Sequence, residues 1–316
     1  MELIRSIHNV RPKHQGCVAT IGKFDGVHLG HKQILAQLKA KAVALSLPSL
    51  VILFEPHPAE FFVADKAPSR LNTLATKLAY LADEKIDRVL CLSFNSKLAA
   101  MSADEFIEQL LVQKLAIAHF VVGDDFRFGR GRDGTFKMLQ QQGSKYGFSV
   151  ESTITYQLQG ERVSSTKIRQ ALSDNDFEQA AALCGRAFTM TGKVIQGQQL
   201  ARTLGVPTAN IQTTKYNLPL RGVYAVTAKT AAGVLCSGVA NIGKRPTVNG
   251  VKPVLEVHMF DFDGNIYGQK LCVEFKKFLR AEQKFADLDQ LKQAIFNDIA
   301  VAKQYFATQN QQMGME

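Results

Sequence analysis

His28 and His31 close a glycine-spaced stretch, Gly22-Lys23-Phe24-Asp25-Gly26-Val27-His28-Leu29-Gly30-His31, that follows an apolar run. Imidazoles at a helix start, where free backbone N–H groups and the positive dipole end gather, can hold phosphate oxygens. Glycines at 22, 26 and 30 let the backbone approach such a ligand. Histidine pairs at this spacing are elsewhere surface residues or metal ligands; the glycines and the place after a strand favour phosphate here. Ser164-Ser165-Thr166-Lys167-Ile168-Arg169 sets three hydroxyls before a helical pattern of Ile168, Ala171 and Leu172. That makes a second anion-binding helix start, with Arg169 as a delocalised charge, although serine also caps helices that bind nothing. In the C-terminal half, Thr208 and Asn210 of Pro207-Thr208-Ala209-Asn210 offer a hydroxyl and an amide oxygen. Such hard donors suit Mg²⁺ and phosphate together; the same residues also make an ordinary proline turn. Glu256 alternates with apolar neighbours in Leu255-Glu256-Val257-His258-Met259-Phe260, so Glu256, His258 and Phe260 share a strand face. A carboxylate there is either solvated or, beside a hydroxyl, a general base.

The elements that must position these groups change character along the chain. Up to residue 185, strand-like runs (Cys17–Gly22, Leu50–Phe54, Arg88–Ser93, His119–Gly123, Phe148–Thr153) alternate with helical patterns such as His31–Leu47 and Leu74–Lys85. Ser102-Ala103-Asp104-Glu105 matches a capping box ahead of Phe106, Leu110 and Leu111. This alternation predicts an α/β domain over 1–185, a parallel sheet with helices on both faces and ligands beyond the strands' carboxyl ends. A helical run, Phe177–Leu183, precedes the linker. From residue 186, short runs at Thr189–Ile195, Gly222–Ala228, Val234–Ala240, Leu255–Phe260 and Gln269–Phe275 follow one another without helices. They predict a small antiparallel β-barrel over 186–308, closed by a helix over Leu288–Phe306. The polar tail 309–316 is expected to be disordered.

Bulk properties bound the partners. The chain has 316 residues, 46% of them hydrophobic, and no apolar run long enough to span a bilayer. The first ten residues lack a secretion signal. Cysteines at 17, 91, 184, 236 and 272 are odd in number and form no C-x-x-C, which argues against disulfides or zinc and for a cytoplasmic location. The net charge of +10 is spread out and suits phosphorylated small molecules. Neither nucleic acid nor membrane is expected as a partner.

Gly123-Asp124-Asp125-Phe126-Arg127-Phe128-Gly129 suits contact with a nucleotide or flavin, or is a solvated loop with an internal ion pair. Taken together, G-x-F-D-G-x-H-x-G-H, Phe54-Glu55-Pro56-His57-Pro58, this loop and S-S-T-x-I-R resemble the adenylyltransferase module of the bacterial bifunctional riboflavin kinase/FAD synthetase family. The histidine motif is also similar to that of the wider nucleotidyltransferase superfamily; a tRNA synthetase is disfavoured because no K-M-S-K-S type loop is present. In the C-terminal half, Leu204-Gly205-Val206-Pro207-Thr208-Ala209-Asn210 resembles the G-F-P-T-A-N signature of riboflavin kinases. Gly222–Val226, Gly238–Thr247 and Leu255–Phe262 resemble further family segments.

The resemblance implies a two-step enzyme using ATP and Mg²⁺, with riboflavin, FMN and FAD as substrates and products. It implies catalytic roles for His28, His31 and Glu256, and ATP contacts from Gly22, Phe24, Asp25, Gly30, Ser164, Ser165, Thr166 and Arg169. Flavin contacts are implied for His57, Asp125, Phe126, Arg127 and Phe128 in the first domain. In the second, Arg280 and Glu282 face flavin, while Gly197, Arg202, Thr208 and Asn210 face ATP and Mg²⁺. Two positions depart from the family pattern: Ala201 stands for a glycine and Val206 for a phenylalanine. A working kinase is still expected, with its loop adjusted around Ala201.

Overall fold

The computed structural model describes residues 1–63, 66–197, 204–213, 217–247 and 250–313. By its contacts the chain divides into two units, Met1–Pro68 with Leu74–Ser164, and Ser69–Thr73 with Ser165–Glu316. No helix among the described residues is long and apolar enough to cross a membrane.

In the first unit, β1 (Glu2–Arg5), β2 (Cys17–Ile21), β3 (Ser49–Glu55), β4 (Arg88–Ser93), β5 (Ile117–Val122) and β6 (Ser149–Ser152) form one parallel sheet. Its order is β1-β4-β3-β2-β5-β6, and β7 (Gln157–Leu158) and β8 (Glu161–Arg162) pair antiparallel in a separate two-stranded sheet. All five residues of β2 are buried, as the central strand of a sheet covered on both faces requires. One core packs Leu50, Ile52, Phe106, Ile107, Leu110 and Phe120 together; the other packs Val18, Leu35, Leu38, Val51, Leu53 and Val121. The order reverses between β2 and β5, so the crevice expected to take a ligand opens where residues 22–28 and 123–129 leave these two strands. Between the strands lie α1 (Leu29–Leu45), α2 (Pro58–Phe62), α3 (Leu74–Asp83) and α6 (Phe136–Tyr146), with α4 (Ser96–Ala100) and α5 (Ala103–Glu105) before β5. The capping box at α5 is present: the Ser102 hydroxyl accepts from the Glu105 N–H at 3.2 Å, and Glu105 returns the bond at 2.8 Å. The segment after it, Phe106–Lys114, is wound as a π-helix. Strand β1 has no counterpart in the sequence expectations, because four residues are too few to show a period. It is tied down by Glu2, which accepts from Lys13 and lies 3.1 Å from His14 Nε2. Those two contacts hold the Glu2 carboxyl near 2.

The second unit begins with α7 (Ser165–Ser173), whose buried residues are the expected Ile168, Ala171 and Leu172, and α8 (Phe177–Cys184). Then β9 (Thr189–Ile195), β10 (Ala209–Ile211), β11 (Gly222–Thr230), β12 (Leu235–Thr247), β13 (Gly250–Met259) and β14 (Lys270–Arg280) close into an antiparallel barrel, β10-β13-β12-β11-β14-β9. The barrel side chains Leu255, Val257, Ala240, Ile242, Val226 and Val273 are all 1% exposed or less. The closing helix runs from Leu288 to Met313, seven residues past the expected end at Phe306 and into the segment expected to be disordered. No glycine or proline interrupts the sequence before Gly314, so nothing in it stops the helix earlier. Strand β12 likewise continues past its expected end at Ala240, because β13 pairs with it through Thr247. Ile299, Tyr305 and Phe306 of the helix pack with Ala302 over Ala225, Val239 and Phe260, residues of the barrel's outer surface.

Candidate active sites

In the first unit, the loop after β2 folds back on itself. Phe24 and Val27 take φ of 45° and 38°, and both are buried, as are Asp25 and His28. Bulky residues in the left-handed region persist only where surroundings enforce them, and such strain gathers at functional sites. Lys77 of α3 adds a fixed point by donating to the Lys23 carbonyl at 2.7 Å. His28 is the N-cap of α1, and its Nδ1 accepts from the His31 N–H at 3.3 Å. A neutral ring that accepts at Nδ1 carries its proton on Nε2. The two imidazoles stack 3.7 Å apart, and Phe24 lies 4.9 Å from His31. Gly30 fits closely here: an added Cβ would lie 3.1 Å from both the His28 ring and the Val163 carbonyl, so a neighbour would have to give by a few tenths of an ångström.

The other expected groups of this unit lie at the same ends of the strands. His57 follows β3 as the cap of α2, accepting from Ala59 at 3.1 Å while Glu60 accepts from the His57 N–H. After β5, Phe126 and Phe128 stack 5.4 Å apart; Phe128 is buried against Phe106, while Asp125 and Arg127 are exposed. Asp125 sits 3.9 Å from Arg162. Sequence reasoning missed an aromatic group at the ends of β3 and β4. Phe54, Phe61 and Phe62 each meet Phe94 edge-on at 5.5–5.7 Å, and Phe61 and Phe62 remain 40% and 63% exposed. Two exposed phenylalanines within five residues of Phe-Glu-Pro-His-Pro were the signal available. Of S-S-T-x-I-R, Ser164 belongs to the first unit by its contacts, and Ser165, Thr166 and Arg169 to the second, where Arg169 donates to the Ser69 carbonyl at 2.6 Å.

In the second unit, strand register lines up residues drawn from across the sequence. Asn210 of β10 lies opposite Glu256 of β13, which lies opposite Asn241 of β12. Asn241 faces Val223 of β11, and Val223 faces Arg280 of β14. Directly opposed residues project from the same face, so the five form one row across the barrel's outer surface. The closing helix roofs that surface, and the row lines a cavity of about 320 Å³ together with Thr208, His258, Glu282, Phe285 and Asp298. The choice left open by the sequence is thereby narrowed: Glu256 is on the outside of the barrel, half-buried in a roofed cavity. His258 Nδ1 donates to the Pro207 carbonyl at 2.9 Å, which pins the Pro207–Asn210 segment to β13. Asn210 is 8% exposed, and a Cβ on Gly197 would collide with its side chain. Thr208 also lines a second cavity of about 490 Å³ with Val194, Val257, Met259, Phe262 and Tyr267. Val206, the smaller residue at the family's phenylalanine position, is buried in the wall of the first cavity. Arg202 and Ala201 lie outside the described residues.

A family model described as FAD synthetase matches residues 10–167, and one described as riboflavin kinase matches residues 184–306. The bifunctional riboflavin kinase/FMN adenylyltransferase of Pseudomonas fluorescens is 52% identical over 304 residues, covering 96% of this chain and 97% of that one. This chain belongs to the bifunctional riboflavin kinase/FMN adenylyltransferase family. The family protein of Escherichia coli strain K12 is 47% identical over 307 residues, covering 97% and 98%. A crystal structure of a macrolide-efflux protein from Streptococcus pneumoniae superposes with a TM-score of 0.74 at 26% identity, covering 96% of this chain and 99% of that one. Among the cavity residues that sequence reasoning passed over is Asn241, which the strand register sets beside Glu256. It stood in a segment recognised as family-like, and an asparagine in mid-strand is unusual enough to have marked it.

Proposed function

We propose how the two reactions of this family are divided over the chain. The protein phosphorylates riboflavin with ATP to give FMN, then adenylylates FMN with a second ATP to give FAD and pyrophosphate. Residues 1–185 carry the adenylyl transfer and residues 186–308 the kinase reaction. The observation that carries the kinase reading is the row Asn210–Glu256–Asn241–Val223–Arg280 in one roofed cavity.

In the kinase step, Glu256 accepts the proton of the riboflavin 5′-hydroxyl as its oxygen attacks the γ-phosphorus of ATP, and ADP leaves. Thr208 stands between the two cavities; the larger one, lined also by Asp263 and Asn265, takes the nucleotide, and the one holding Glu256 takes riboflavin. Mg²⁺ fits Thr208 and Asn210, a hydroxyl and an amide oxygen beside the carboxylate of Glu256. Mg²⁺ usually keeps several waters and shares substrate phosphates, so few protein donors would be needed. Bound with ATP, the ion offsets phosphate charge; positioning by the protein supplies the rest. Gly197 leaves room for Asn210, and Arg202 enters on sequence grounds.

In the adenylyl transfer, an oxygen of the FMN phosphate attacks the α-phosphorus of ATP. The nucleophile is already an anion, so no general base is needed. His28, with its proton on Nε2, and His31 stabilise charge on the transferring and leaving phosphates at the α1 N-terminus, while Gly22, Phe24, Asp25 and Gly30 shape the loop around them. Ser164, Ser165, Thr166 and Arg169 enter on sequence grounds, as a second phosphate-binding helix start. The exposed Phe61 and Phe62, with His57, Asp125, Phe126 and Arg127, offer the flavin an aromatic and polar surface. Purified protein given riboflavin, ATP and Mg²⁺ should yield FMN and FAD on chromatography; appearance of neither would refute the proposal.

A further inference from the structure

Arg280 ends the row that carries Glu256, and its guanidinium is held from outside the barrel. Asp298 of the closing helix, with its side chain 6% exposed, accepts from Nε at 2.8 Å and from Nη2 at 2.8 Å. Nη1 donates to the Ala281 carbonyl at 3.0 Å, and the Phe285 ring centroid lies 5.7 Å from Cζ. A guanidinium has five N–H groups. Three are used here, which leaves one on each terminal nitrogen, and both Arg280 and Asp298 line the cavity.

Stability does not account for this pair. Replacing a buried ion pair with apolar side chains is commonly neutral or stabilising, and the helix residues around Asp298, namely Ile295, Ile299 and Ala302, already make that seam apolar. A charged pair in an otherwise apolar seam, open to a cavity on one side, points to a task in the cavity.

We propose that Asp298 is a positioning residue for riboflavin binding. It fixes the Arg280 guanidinium edge-on, so that the two remaining N–H groups face the acceptor atoms of the flavin. The proposal rests on the kinase reading of the cavity. The strand of Arg280 lies three strands from that of Glu256, about 14 Å along the sheet. Arg280 therefore meets the part of riboflavin distant from the 5′-hydroxyl, and Asp298 acts on affinity and leaves the phosphoryl transfer step alone.

The test uses the full chain and Asp298→Asn, which keeps the shape but loses the charge and one of two acceptors. KM for riboflavin, and its Kd measured by quenching of flavin fluorescence, should rise about ten- to a hundredfold, with kcat at saturation within about threefold of wild type. R280Q should show the same rise, and the D298N/R280Q double variant should bind no worse than R280Q alone. A purely structural Asp298 would instead lower the melting midpoint, leave KM and Kd unchanged and add to R280Q; that outcome overturns the proposal. Should D298N fail to fold, Asp298→Glu displaces the carboxylate by one methylene, and an unchanged riboflavin Kd there overturns it equally. Wild-type protein that binds riboflavin without phosphorylating it would sink the kinase reading and leave Asp298 to be judged on the ratio of Kd values. Wild-type protein that binds no riboflavin sinks both.

Discussion

Glu256→Gln separates a general base from a cavity-lining carboxylate. The substitution keeps the length and planarity of the side chain, and the backbone pairing of residue 256 with Asn210 and Asn241 is untouched. Glu256 is half-buried rather than enclosed, so the cost to folding should stay within about 0.5 kcal/mol. Loss of the proton acceptor is a different matter. A positioned base contributes about 10²–10⁴-fold, equivalent to about 2.7–5.4 kcal/mol in the barrier. At saturating ATP and Mg²⁺, kcat for conversion of riboflavin to FMN should fall in that range, with KM for riboflavin changing little. Adenylylation of supplied FMN, measured on the same preparation, should be unchanged and reports that the protein is intact. A kinase rate within about threefold of wild type would refute the base assignment. Glu256 would then be a wall of the cavity, and deprotonation would fall to ATP itself or to solvent.

His31→Ala should lower FAD formation by about 10²–10³-fold, the usual effect of removing one donor from a charged transition state, while riboflavin phosphorylation continues; loss of both activities in a folded variant would show that they are not divided as proposed. Gly197→Ala should impair the kinase on the order of a hundredfold by displacing Asn210, and wild-type kinetics would show that the Asn210 position is irrelevant to turnover. Tyr224 is 1% exposed, its hydroxyl donates to the Arg221 carbonyl at 2.6 Å, and burial pushes the phenol up to about 12. The folded state thus holds this proton more tightly than the unfolded chain, so the contribution to stability is complete below pH 10 and is lost as pH rises through 12. Urea unfolding across that window should show wild type losing up to about 3 kcal/mol more than Tyr224→Phe, which itself costs about 1 kcal/mol at pH 8; equal losses in the two proteins would contradict the assignment.

Much of the architecture was legible because period and punctuation agree with it. Central strands such as β2 and β3 are short continuous apolar runs, as strands buried on both faces must be, and the capping box at Ser102 marked a helix start that the structure contains. Elements too short to display a period were not legible: β1 has four residues and β10 three. Nor did composition distinguish the fates of Phe126 and Phe128, two residues apart in one loop. Phe128 joins the core against Phe106, while Phe126 only stacks on its edge.

The kinase cavity was half legible for a deeper reason. Local pattern placed Glu256 on a polar strand face, but which side chains stand beside it depends on strand register, and a slip of one residue would turn the whole face over. Asn210, Asn241, Val223 and Arg280 come from four other strands, spread over seventy-one positions of sequence, and nothing within any one of those segments reports the pairing. Asp298 is hidden differently. In a long helix with Asp289 and Lys292 nine and six residues earlier, an aspartate reads as one more solvated charge. Only the packing of Ile299 and Ala302 onto the barrel turns it inward, and only then does its partner, eighteen residues back on β14, become visible. The groups that a motif recognises are those whose chemistry is local. The groups that hold them in place are supplied by register and by helix docking, and these are set by the fold as a whole.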